Sequence, residues 1–142
     1  MIRLLQRIVC VVGLLGLTQA ASAGVVVVVS SKSGVTSITK DQVADIYLGN
    51  SKNFPNGSSA MAADLPEGAI ERAEFHKAVT GKSATQFKAY WAKMVFSGKG
   101  VPPKELATPA EMKSALAEHP NMIGYLDKSM VDSSLKIVLE LN

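Results

Sequence analysis

Five consecutive valines, Val25 to Val29, are followed by the polar run Ser30-Ser31-Lys32-Ser33-Gly34. A β-branched stretch that is apolar on both faces predicts a strand over 24–31 covered from both sides, as in a parallel or mixed sheet lying between helices. The next apolar set has a different period. In ITKDQVADIYLG, Ile38 to Gly49, the residues Val43, Ile46 and Tyr47 fall on one helical face. Thr39 is placed to cap the first turn with Gln42 as its reciprocal partner, Ile38 and Val43 flank the cap as a hydrophobic staple, and Gly49 sits just past the end.

Beyond this helix, Pro55 and Asn56-Gly57 mark a turn, and Ser59 to Asp64 reads as a short strand. Pro66 to Val79 predicts a second helix, with Pro66 in its first turn, Glu67, Glu71 and Glu74 toward its start and Gly81 after its last apolar residue. Its apolar face is ill defined. A third helix opens on the capping pair Ser83 and Gln86 and carries Phe87, Tyr90, Trp91, Met94 and Val95 at helical spacing before Gly98, an aromatic stripe that reads as core and not as a cofactor site. After a loop over 99–107 with Pro102-Pro103, the run Thr108-Pro109-Ala110-Glu111 starts a fourth helix that ends near His119-Pro120. Met122 to Leu126 is then a strand, Lys128 to Asp132 a turn or single helical turn, and Leu135 to Leu141 a last strand. The order strand, helix, strand, three helices, two strands predicts an α/β sandwich of one sheet with helices on both faces.

The first residues belong to a different kind of segment. Arg3 and Arg7 precede the apolar run Ile8 to Leu17, and Ala21-Ser22-Ala23 supplies small residues before Gly24, the pattern of a cleaved secretory signal over 1–23. The apolar run is shorter than the roughly 20 residues a membrane-spanning helix needs, so we expect no stable membrane insertion once the signal is removed; an uncleaved anchor is the alternative. The expected mature domain, 24–142, is long enough for one core. Its sequence contains no cysteine, the single Cys10 lying in the signal, so its stability rests on packing without disulfides. Setting Arg3 and Arg7 aside leaves 13 basic against 12 acidic residues. The near-neutral balance and singly scattered lysines argue against a nucleic-acid partner.

Three stretches together resemble a known family. TSITKDQVADIYLGNSKNFPNG, the turn ADLPEG and MIGYLDKSMVDSSLKIV are similar to the substrate-binding proteins of phosphate ABC transporters, and the whole 24–142 segment resembles short secreted proteins with one phosphate-binding-protein-like domain. The resemblance implies a single lobe of a type II periplasmic binding protein, with a mixed sheet and helices on both faces, a periplasmic location, a small phosphate-like anion as ligand and an ABC permease or membrane sensor as partner. In that family a Ser-Gly-Thr turn at a helix start, preceded by an arginine, helps to hold the oxyanion. The corresponding stretch here is Asp64-Leu65-Pro66-Glu67-Gly68-Ala69-Ile70-Glu71-Arg72, which keeps only Gly68 of the turn and adds the negative charges of Asp64 and Glu67.

The residues left to hold an anion are the amides of Gly68, Ala69 and Ile70, the guanidinium of Arg72, and the hydroxyls of Ser30, Ser31 and Ser33. Helix-start amides suit an anion, and the two groups converge if both strand ends lie at the same sheet edge. On the other reading Pro66 and Glu67 merely cap a helix and 30–34 is an exposed loop. Other chemistries are poorly supported. Gly81-Lys82-Ser83 lacks the first glycine of a phosphate-binding loop, His76 standing in its place. His76 and His119 have no cysteine or histidine partners at metal-binding spacing, and no nucleophile motif is present. We therefore expect no enzyme activity, no metal and no cofactor. Two functions remain: a periplasmic solute-binding-type protein, or an interaction module that regulates a membrane sensor or transporter without a small ligand.

Overall fold

The computed structural model describes residues 24–141, so the expected signal over 1–23 lies outside the described residues. Strand β1 is Val25–Ser30, and all six residues are buried, as an unbroken apolar run requires. Helix α1, Lys40–Tyr47, begins at the Thr39 capping box and buries Val43, Ile46 and Tyr47. Next come β2, Met61–Asp64, and α2, Ile70–Val79. Helix α3, Ala84–Phe96, opens on the Ser83–Gln86 capping box and leads through a loop to β3, Lys104–Glu105. Helix α4, Pro109–Glu118, is capped by Thr108. Strand β4, Met122–Asp127, a single 3₁₀ turn, Lys128–Met130, and β5, Leu135–Glu140, complete the order.

The strands form one mixed sheet in the order β3-β2-β4-β1-β5. β2 runs parallel to β3 and to β4, whereas β1 runs antiparallel to both β4 and β5. Helices cover both faces, and alternation along β4 shows which lies where. Tyr125 turns toward α1 and α2, its ring stacked on Phe75 at 4.2 Å and near Tyr47 at 6.4 Å. Gly124 turns the other way, under α4, where an added Cβ would stand 2.6 Å from the Met112 sulfur and 3.1 Å from Leu116. Successive residues of a strand point to opposite faces, so the absent side chain at 124 lets α4 lie directly on the sheet.

Three expectations need correcting. Helix α2 starts at Ile70 with Ala69 as its N-cap, not at Pro66. Pro66 instead opens a turn closed by the Ala69 amide on its carbonyl at 3.1 Å, with Gly68 at φ 97°, a conformation no helix can include. The loop over 99–107 contains β3, whose two exposed residues pair with Ala63 and Asp64. The α3 stripe is narrower than its spacing suggests: Phe87 and Trp91 are buried, Tyr90 and Met94 half-buried, and Val95 is 52% exposed.

Candidate functional site

The sequence-derived site separates into two places. β1 is antiparallel to β4, pairing Val25 with Asp127 and Val29 with Ile123, while β2 is parallel to β4, pairing Met61 with Met122. The carboxyl end of β1, with Ser30, Ser31 and Ser33, therefore lies at the rim where β2 and β4 begin, opposite Gly68, Ala69, Ile70 and Arg72. The expected convergence is thus corrected by strand direction: the edge rule holds among parallel strands, and β1 is the reversed one. Ser30 is fully buried and its hydroxyl donates to the Ala117 carbonyl at 3.2 Å. The Ser33 hydroxyl accepts from the Val35 amide at 3.2 Å, and Ser31 is exposed. Gly68, Ala69, Ile70 and Arg72 do border one hollow of about 390 Å³ at the start of α2.

Arg72 reaches from there into a larger cleft of about 470 Å³ at the carboxyl ends of β2 and β3. Its inner wall is built on Asp64, the last residue of β2 and only 3% exposed. One Asp64 oxygen accepts from the Tyr125 hydroxyl and, at 2.9 Å, from the Leu65 amide. The other lies 2.8 Å from His76 Nε2, in a pair whose side chains are 2% and 4% exposed. His76 Nδ1 lies 3.3 Å from the Thr80 hydroxyl one turn further along α2. Burial, and after it the charge of Asp64, push both the Tyr125 and Tyr47 hydroxyls far above the usual phenol range and keep them neutral donors. The Tyr47 hydroxyl donates to the Ala63 carbonyl at 2.6 Å, tying α1 to β2 beside Asp64.

The Leu65 peptide is held on its other side as well, because Arg72 Nη1 donates to its carbonyl at 2.6 Å. Arg72 is 9% exposed, its Nε is buried without a hydrogen-bond partner, and Glu105 stands 3.9 Å from Nη1, too far for a hydrogen bond. Its guanidinium carbon lies 5.8 Å from the centre of the Phe87 ring. Phe87, Trp91 and Pro102-Pro103 supply the apolar walls of the cleft, and Glu67, Lys88 and Glu105 stand at its charged, exposed rim. Helix α3 is fixed over the cleft by two hydrogen bonds to carbonyls at the end of α1: Trp91 Nε1 to Tyr47 at 3.1 Å and the Tyr90 hydroxyl to Leu48 at 2.5 Å. Those carbonyls lie at a helix end, where intrahelical donors run out.

Residue-type reasoning missed the Asp64–His76 pair and read His76 as isolated. The signal was present in spacing: Arg72, Phe75, His76 and Val79 are the buried face of α2, at helical intervals. Two polar members made that face look ill defined, and their partners lie on β2 and in the Leu65 peptide. Among the described residues no group of three or more His, Cys, Asp or Glu side chains is placed to hold a metal ion, and no helix is long and apolar enough to cross a membrane.

No protein-family model matches the chain, and no curated protein matches it. Solved structures do. A Clostridium perfringens protein described as a phosphate ABC transporter substrate-binding protein, with phosphate bound, is similar over 84% of this chain and 47% of its own, with a TM-score of 0.67 and 22% identity. An ABC-type phosphate transport receptor from Vibrio cholerae gives a TM-score of 0.64 and 18% identity over 81% of this chain and 45% of its own. PstS from Borrelia burgdorferi gives a TM-score of 0.60 and 13% identity over 82% and 46%. The chain therefore has the mixed α/β fold of phosphate ABC transporter substrate-binding proteins and spans a little less than half the length of each of these structures.

Proposed function

We propose that the chain is a periplasmic solute-binding-type protein, made with a cleaved signal over 1–23, whose 24–142 domain takes a small solute by an acidic group such as an oxyanion. The observation that carries this reading is Arg72, a cation only 9% exposed, in the lining of a cleft at the carboxyl ends of two parallel strands. A guanidinium offers five N–H donors in a fork suited to planar or tetrahedral oxyanions. The cleft volume of about 470 Å³ falls in the roughly 300–1,000 Å³ range of small-molecule sites. Three phosphate-transport proteins of the same fold add support. An ABC permease or membrane sensor is the proposed partner. The test is the melting temperature in phosphate, sulfate, simple carboxylates and amino acids at millimolar concentration. A solute binding only the folded state stabilises it by about 2.7 kcal/mol at one hundred times its Kd. An unmoved transition with every solute overturns the reading.

A second reading has its own observation. The end of α3 and the loop after it expose Val95 at 52%, Phe96 at 96% and Val101 at 85%. Exposed apolar side chains close together in the chain suit a protein partner. On that reading Phe96→Ser abolishes recovery of an envelope partner while leaving the melting temperature unchanged.

A further inference from the structure

The charges around the cleft narrow the class of solute, an argument that rests on the reading that Arg72 receives an acidic group. Asp64 has both oxygens engaged by Tyr125, Leu65 and His76, so it has little acceptor capacity left for a ligand. The groups left facing the cleft are then two cations, Arg72 and Lys88, and two anions, Glu67 and Glu105. A compact dianion drawn to Arg72 meets Glu105, which already stands 3.9 Å from the same guanidinium. Like charges in a partly desolvated cleft repel strongly, and such repulsion is how a site rejects the wrong ligand. Phosphate is therefore poorly matched to this rim. A solute of zero net charge that carries both signs is matched, because its acidic end meets Arg72 and its cationic end meets the carboxylates. Buried Phe87 and Trp91, with Pro102 and Pro103, offer an apolar wall and so a place for an apolar body.

We propose that the cleft between α3 and β3 binds an apolar α-amino acid, its carboxylate on Arg72, its ammonium group toward Glu105 and Glu67, and its side chain against Phe87, Trp91 and the two prolines. Each carboxylate at the rim is exposed, so both can be neutralised without disturbing the fold.

The test is calorimetric titration of the full chain and of a Glu67→Gln/Glu105→Gln variant. The ligands are L-leucine, L-phenylalanine, their deaminated acids 4-methylpentanoate and 3-phenylpropanoate, the matching amines, and inorganic phosphate. The amino acids are expected to bind at least about tenfold more tightly than the acids, the amines and phosphate, a difference of about 1.4 kcal/mol. The double variant is expected to remove that advantage over the deaminated acids. Phosphate, a deaminated acid or an amine binding as tightly as the amino acids overturns this proposal, as does an undiminished preference in the variant. Binding of phosphate or a simple acid would leave the broader role of Arg72 standing. Absence of binding by every solute would overturn both.

Discussion

Replacing His76 by leucine removes one half of a buried pair while leaving an apolar group of similar size against the Phe87 ring, which lies 4.1 Å from the imidazole centre. The Asp64 oxygen that faces His76 at 2.8 Å then has no protein partner within a site whose side chains are 2% and 4% exposed. Leaving one member of a buried pair alone costs about 3–5 kcal/mol. The other Asp64 oxygen keeps Tyr125 and the Leu65 amide, which puts the expected loss near the lower end, about 3 kcal/mol. Against a typical domain stability of about 5–15 kcal/mol, that is a large fraction. Urea unfolding is the assay. With a slope of about 1–3 kcal/mol per molar urea, the midpoint should fall by about 1–3 M with no change in slope. Asp64→Asn is expected to cost less, because the amide still accepts from Leu65 and the ring can present its other tautomer. The His76→Leu/Asp64→Asn double variant should lose less than the sum of the two, since the uncompensated charge is gone. A loss below about 1 kcal/mol for His76→Leu, or strict additivity in the double variant, refutes the claim that a paired buried carboxylate organises this end of β2.

Two further predictions concern the same sheet. Tyr47 and Tyr125 have hydroxyls pushed up in the folded state from an ordinary value of 10.0, first by burial and then by Asp64. Their contribution to stability is complete below pH about 10 and is lost as pH rises past it, because only the unfolded chain then releases these protons. Absorbance titration should accordingly show the native chain short of two tyrosinates relative to the chain in denaturant, and full ionisation of all 3 tyrosines while the fold is intact refutes it. Gly124→Ala drives a methyl to 2.6 Å from the Met112 sulfur and 3.1 Å from Leu116, so α4 must shift. The expected loss is about 1–3 kcal/mol in urea unfolding, and an unchanged midpoint contradicts the close approach of α4 to β4.

The local chemistry that starts helices was plain from residue types. Thr39 with Gln42 and Ser83 with Gln86 close the reciprocal caps their spacing predicts, because a cap depends on groups three residues apart and on nothing else. At Thr108 the cap also holds, but the Glu111 carboxylate takes the Ala107 amide at 3.0 Å, one residue before the cap. The five valines likewise announced a strand covered on both faces, and β1 is buried throughout. Where a signal was short or polar it failed. β3 has two exposed residues and no alternation to detect, so only its pairing with Ala63 and Asp64 makes it a strand.

By itself, then, the sequence determined the four helical segments, four of the five strands, the caps of three helices, and the layering of helices on both faces of a sheet, because periodicity and capping are written in neighbouring residues. Only the tertiary structure decided the direction of β1, and with it the separation of Ser30, Ser31 and Ser33 from Gly68 and Arg72, because strand polarity in a sheet is set by which distant edge offers hydrogen bonds. It also decided that Asp64, Arg72 and His76, three polar residues of one strand end and one helix face, are buried. Such groups tolerate removal from water only when distant partners satisfy them, and those partners, Tyr125 and the Leu65 peptide, reach them only once the chain has folded.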